Sequence, residues 1–205
     1  MTMDSPKETR AKIIAAAMDI AAAKEWRRAS LADIAAAADL PLGELRAHFP
    51  SKPAILAGFI ADVDRGVLAI EPGFEPEDTP RDRLFEILMS RLDALAAHRT
   101  AVAELCRDLP TDPLSALCLA PSVITSMSWM LEAAGIASTG PLGLLRAKGL
   151  LAVWLAVLRV WLRDESPDLA PTMAALDRHL RRAEQFAVRL DSFTPPGAKP
   201  DRPSR

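Results

Sequence analysis

From residue 7 to residue 190 the apolar side chains recur at a helical period, and no segment alternates apolar with polar as a half-buried strand would. That pattern confines the chain to an all-α fold. The first segment, 7–25, carries Ile13, Ile14, Ala17, Ile20 and Ala21 near a 3.6 period and leads to Trp26, with Lys and Glu on the other side. Ser30 is placed as an N-cap, with Asp33 three residues on as a variant capping box, and a short helix over 31–37 follows. Pro41 suits the first position of a second short helix that ends before Pro50. Ser51 can cap the next, 52–69, whose apolar positions are Ile55, Leu56, Phe59, Ile60, Val63 and Val67. Further helices are expected over 81–98, about 100–108, about 113–134 with a bend at Pro121, 141–163 and about 168–190.

Residues 71–80, EPGFEPEDTP, hold three Pro, one Gly and four acids, and read as a linker. The expected organisation is therefore an N-terminal three-helix unit over 1–52, a connecting helix 52–69, the linker 71–80 and a helical bundle over 81–192. Residues 193–205 end in a Pro-rich stretch that reads as a disordered tail.

The chain is 205 residues long, half of it apolar, with a net charge of −2. That excludes a wholly disordered chain and a protein that coats nucleic acid by bulk charge. Residues 1–10 are polar and contain Pro6, unlike a signal peptide. The most apolar stretch, 141–162, is interrupted by Arg146, Lys148 and Arg159; its uncharged part spans ten residues, whereas a membrane span needs about 20. No membrane span and a cytoplasmic location are expected. Cys106 and Cys118 fit a reducing compartment, lack metal-ligand spacing, and are expected to be small buried hydrophobes.

Little in the chain suggests catalysis. His48, His98 and His179 are isolated, and no HExxH, CxxC, GxSxG, P-loop or GxGxxG occurs. The pairs Glu75/Glu77 and Asp164/Glu165 fall in linkers or turns and read as solvated loop charge. No enzyme activity, cofactor or metal is expected.

The most informative stretch is 31–52, LADIAAAADLPLGELRAHFPSK. Two short helices around a three-residue turn form a helix-turn-helix. Ile34, Ala38, Leu40 and Leu45 are apolar where they would face inward, and Ala35 is small where the helices would cross. Asp39 stands where a left-handed backbone is needed, which Asp tolerates better than most residues. In such a unit the second helix enters the major groove. Here it offers Leu42, Gly43, Glu44, Arg46, Ala47 and His48, with Lys52 placed to clamp a phosphate and Ser30 at the start of the first helix.

The run I-A-x-x-A-D-L-x-x-G-x-L-R-x-H-F-P-S-K-x-x-I-L resembles the signature of the TetR family, carried by Ile34, Ala35, Ala38, Leu40, Gly43, Leu45, His48, Phe49 and Lys52 across residues 8–60. The resemblance implies an all-helical homodimer with an N-terminal DNA-binding unit, a C-terminal ligand-binding and dimerisation bundle, and double-stranded operator DNA as partner. It makes a phosphate contact from His48 plausible. Three positions depart from the family pattern: Asp39 where Gly is usual, Pro41 where Ser or Thr is usual, and Arg46 where a phosphate-contacting Tyr is usual. Arg also binds phosphate. Glu44, however, adds negative charge, and residues 1–52 hold eight Lys or Arg against seven Asp or Glu. Electrostatic attraction to DNA should therefore be modest.

Residues 161–180, with W-x-x-D-x-S-x-D-x-x-x-T-x-x-x-L-D-x-x-L, resemble the C-terminal domain of lipid-binding accessory proteins of coenzyme Q biosynthesis. That implies, as the alternative, a TetR-like fold that binds isoprenoid lipid with weak or no DNA binding. A plain helical hairpin, with Ser166 or Asp168 capping the last helix, explains the same residues equally well.

The 141–163 helix carries one stripe of Leu150, Trp154, Val157 and Trp161 and another of Leu151, Leu155, Leu158 and Leu162. A helix apolar on two faces covers two surfaces, so Leu151, Leu155 and Leu162, with Leu176, Leu180 and Ala183 of the last helix, are expected at a dimer interface. A ligand pocket is expected from Phe85, Leu88, Met89 and Leu92 facing Met127 and Met130, with Trp154 and Leu158, and Thr125, Ser126 and Ser128 as the few polar anchors. Such a lining suits a small apolar or lipid-like ligand.

Overall fold

A computed structural model describes residues 5–70 and 73–193, and the described residues are helical with no strand. The expected tail lies from residue 194 onward outside the described residues, as do residues 71–72 of the linker. Helix α1 (Pro6–Ala22) starts at a full capping box, Ser5 with Glu8, and buries Ile13, Ile14, Ala17, Met18 and Ala21. Helix α2 (Leu31–Ala37) has the expected box: the Ser30 hydroxyl accepts the Asp33 N–H, and the Asp33 carboxylate accepts the Ser30 N–H. Helix α3 (Leu42–His48) begins one residue later than the sequence suggests, because Pro41 is extended (φ −60°, ψ 142°) and acts as the N-cap rather than the first helical residue. Pro41 has no side-chain acceptor, so the start of α3 has no side-chain cap.

Helix α4 (Lys52–Leu68) is capped by Ser51 as expected. It packs on α1, on α5 (Pro80–Ala96) and most extensively on α7 (Pro113–Ala133). Helix α6 (Arg99–Asp108) packs across α1 and leads through a single 3₁₀ turn into α7, which continues through Pro121. Helix α8 (Gly140–Trp161) lies against both α7 and α9 (Ala170–Phe193). One continuous apolar core runs from Ile13 of α1 to Leu180 of α9. By length and composition α7 and α8 could each cross a membrane, but one face of each is buried in this core.

Three helices end in the same way. The residue after the cap is left-handed at Lys24 (φ 64°), Asp39 (φ 55°) and Gly135 (φ 79°). Each time the next two N–H groups return to the helix, as from Asp39 to the Ala36 carbonyl and Leu40 to Ala35. This is the Schellman closure of α1, α2 and α7.

The α8–α9 corner corrects the reading of Asp164 as solvated loop charge. Asp164 is 5% exposed. Its carboxylate accepts the Ser166 hydroxyl and N–H on one oxygen and the Thr172 hydroxyl and N–H on the other. The Ser166 and Thr172 hydroxyls, against some desolvation, hold its pKa down to about 2. Arg99 of α6 donates to the Trp161 and Asp164 carbonyls and lies 5.0 Å from the centre of the Trp161 ring. The W-x-x-D-x-S-x-D-x-x-x-T pattern is thus accounted for by a hairpin lock. Asp168 accepts the Ala170 N–H at 3.2 Å, whereas Ser166 serves Asp164.

Candidate nucleic-acid interface and the α4–α7 groove

In α2–α3, Ile34, Ala35, Ala38 and Leu45 are buried and Leu40 is half-buried, as their spacing implied. Leu45 is the one buried residue of α3. Gly43, Glu44, Arg46 and Ala47 are exposed, Leu42 is 51% exposed and His48 half-buried. A Cβ added at Gly43 would meet nothing within 4 Å. Gly43 is the second residue of α3, and no internal contact requires a glycine there. The outer face of α3 is thus open at Gly43.

Behind α3, Phe49 lies across α4 at Gly58, where a Cβ would come within 2.7 Å of the Phe49 ring. Arg10 of α1 donates to Asp62 at 2.6 and 2.7 Å and to the Gly58 carbonyl at 3.1 Å, tying α1 to α4. Lys52 was expected to clamp a phosphate. Its ammonium instead donates to the Trp26 and Ala29 carbonyls and sits 4.5 Å from the centre of the Trp26 ring. Desolvation lowers its pKa, opposed by the charges of Asp112 and Asp108. Lys52 therefore pins the loop before α2 onto α4. Ser30 is likewise engaged with Asp33.

Most of the expected ligand-pocket residues are core, and Phe85 among them borders a groove, one of about 430 Å³ between α5 and α9. Leu88, Leu92, Met127, Met130, Trp154 and Leu158 are buried, and Phe85 and Met89 are half-buried against the same cluster. Another groove lies between α4 and α7. It measures about 640 Å³ and is bordered by Ala57, Ile60, Asp64 and Leu68 on one side and Ser122, Thr125, Ser126 and Trp129 on the other. None of the eight expected residues borders it. Two of the three expected polar anchors, Thr125 and Ser126, do; Ser128 instead donates to the Ile124 carbonyl within α7. At its floor, Asp64 accepts from Arg91 of α5 and, at 2.9 Å, from the Ser126 hydroxyl. The Arg91 guanidinium lies 5.1 Å from the centre of the Trp154 ring, and among the described residues its Nε has no hydrogen-bond partner.

Asp64 and Arg91 escaped the sequence reading. A signal existed: each is a charge on an apolar face, Asp64 beside Val63 and Val67, Arg91 on the stripe of Leu84, Leu88, Leu92 and Leu95. Among the described residues no group of three His, Cys, Asp or Glu is placed to hold a metal. Cys118 is exposed, contrary to expectation, while Cys106 is half-buried and burial raises its pKa.

Of the expected dimer residues, Leu155 is 41% exposed and Leu151, Leu162 and Ala183 are half-buried. Leu176 and Leu180 are instead buried within the protomer, because α9 packs them against α8 and α5. Leu142, Leu144 and Leu145 of α8 and Phe186 of α9, which were not anticipated, are exposed.

No family model and no curated protein matches the sequence. Solved structures do match. A TetR transcriptional regulator from Nitrosomonas europaea is similar over 86% of this chain and 98% of its own, at 26% identity and a TM-score of 0.66. A TetR regulator from Rhodococcus sp. RHA1 is similar over 88% and 97%, at 22% identity and 0.63. The FadR repressor of Thermus thermophilus, solved with lauroyl-CoA, is similar over 96% and 98%, at 16% identity and 0.53. The fold is that of TetR-family transcriptional regulators.

Proposed function

We propose that the protein is a DNA-binding transcriptional regulator of TetR type, acting as a homodimer and answering to a small apolar ligand. The observation that carries this is the outer face of α3. Gly43, Glu44, Arg46 and Ala47 stand exposed over a single buried Leu45, with open space at Gly43. Residues 1–52 form the reading head and 81–192 the ligand and dimer body, joined by α4. Two heads related by a dimer axis would enter successive major grooves about 34–36 Å apart. The exposed α8 leucines, Leu142, Leu144, Leu145 and Leu155, supply an apolar surface for the second copy. Repression is the expected sense of regulation, with ligand favouring the DNA-free form by binding it more tightly.

The test is a mobility shift with the DNA flanking the protein's own gene. A sequence-specific complex is expected, and its absence at low salt would overturn the reading. Arg46→Ala should weaken binding to all sequences and reduce the salt slope by about one. An unchanged slope would remove Arg46 from the interface.

A further inference from the structure

We propose that the α4–α7 groove is a ligand site selective for an uncharged amphiphile whose hydroxyl donates to Asp64. The assignment of this site as the one that governs DNA binding rests on the regulator reading; the ligand chemistry rests on the groove alone.

The first argument is the unequal use of the Asp64 carboxylate. Arg91 and Ser126 both donate to Oδ1. Among the described residues nothing donates to Oδ2, although a carboxylate can accept about four hydrogen bonds. Asp64 is a buried residue that borders the groove. An acceptor in so confined a place gains by meeting a donor there.

The second argument is charge. Arg91 is 3% exposed and offsets the charge of Asp64, and Arg65, which also borders the groove, donates to Asp62 at 2.6 Å, so each charge at the groove already has a partner. A ligand carboxylate would press one anion on another, and like charges at such range disfavour joint ionisation. A ligand ammonium would bring a second cation beside Arg91. A hydroxyl adds a hydrogen bond and no charge.

The third argument is the opposite end. Trp129 borders the groove and is 57% exposed, while Trp26, Trp154 and Trp161 are buried. With Ile60 and Leu68 it offers an apolar wall for an alkyl or aromatic body, and an exposed indole at the rim of a groove suits an amphipathic guest.

Three probes with a ten-carbon chain separate donor from charge: 1-decanol, its methyl ether and decanoate. Each is titrated into the full chain at neutral pH, followed by tryptophan fluorescence and calorimetry. Decanol should bind about tenfold more tightly than the ether, the order of effect for a hydrogen bond to a charged group, and decanoate should bind more weakly than decanol. Equal affinity for decanol and the ether, tighter binding of decanoate, or no binding of decanol would overturn the proposal. Asp64→Asn should abolish the preference for decanol over the ether. If that variant fails to fold, Trp129→Ala decides, since the side chain is largely solvated. It should weaken all three probes while keeping their order, and unchanged affinities would place the probes elsewhere and overturn the site. A mobility shift run alongside separates the two readings. A decanol preference without any DNA complex leaves the groove and removes the regulator; a DNA complex without decanol binding does the reverse.

Discussion

The two polar sites of this protein are built in opposite ways. Helices α2 and α3 keep their charges outside and close with short-range bonds: Ser30 with Asp33, Asp39 with Ala36, Leu40 with Ala35. The α4–α5–α7 site gathers residues 64, 91 and 126 from three helices and buries all of them. A site made of local bonds tolerates change residue by residue, because each bond contributes little and water waits on the other side. A site made of buried charges is fixed as a unit, because removing one member strands the rest. Substitutions can test how far that contrast holds.

The largest effect is expected at Arg91. Arg91→Met leaves the Asp64 carboxylate buried with only Ser126, and stranding one partner of a buried pair costs about 3–5 kcal/mol. The double variant Asp64→Leu, Arg91→Met removes both charges and should recover most of that loss. Urea unfolding of the two single variants and the double gives the coupling. Additive losses would mean that the pair does not act as a unit, and the contrast with the head would fall.

Asp164 ranks next and tests the same idea at the α8–α9 corner. Its folded pKa, about 2, lies below the ordinary 3.8. The carboxylate is thus favoured by folding. Its stabilisation is fully present above 3.8 and is lost as the pH falls through about 2. Asp164→Asn keeps one acceptor oxygen for four donors. The variant should melt at lower temperature at neutral pH, and its Tm should fall less than that of the parent on acidification across this window. Parallel Tm profiles would assign the acid sensitivity to other carboxylates.

This contrast also explains what could be read from the sequence. The α2–α3 unit was legible to within one residue, because its caps, turn and apolar spacing all act within a few positions of one another. The one error, at Pro41, arose because a proline suits the N-cap and the first helical position alike. The order of the helices among the described residues was legible for the same local reasons. Which neighbour each apolar face covers was not. Leu176 and Leu180 went to the protomer core rather than to a dimer face, and the methionines Met127 and Met130 became packing rather than lining. Both outcomes depend on which helices become neighbours, and spacing along a single helix carries no information about that. The groove is framed by α4 and α7, whose polar contributions are 62 positions apart in the chain.

Gly43→Ala sets stability against function within the head. Alanine fits the open space and favours the helix by about 0.5–1 kcal/mol. Thermal melting should therefore show a small gain, while the added methyl, if α3 lies in the groove of DNA, should weaken the specific complex. A gain in stability with no loss of DNA binding would place Gly43 outside the interface.

Effects of similar size distinguish the three left-handed helix ends, which share one backbone and differ in side chain. Lys24, at φ 64°, has no local side-chain bond to offset the left-handed cost of roughly 1–2 kcal/mol. Its ion pair with Glu104, at 3.9 Å and on an exposed side chain, is worth little. Lys24→Gly should therefore stabilise by up to about 1 kcal/mol. Asp39 lies at φ 55°, and a short polar side chain tolerates that region better, so Asp39→Gly should gain less, about 0.5 kcal/mol. Gly135→Ala should lose about 1 kcal/mol, having started from the residue best suited to φ 79°. Asp39→Gly also removes a negative charge from the turn that leads into α3, so DNA binding should strengthen modestly at low salt and converge with the parent as salt rises. A Lys24→Gly gain no larger than that of Asp39→Gly would mean that side chain matters little at these ends and that the Schellman bonds alone set their stability.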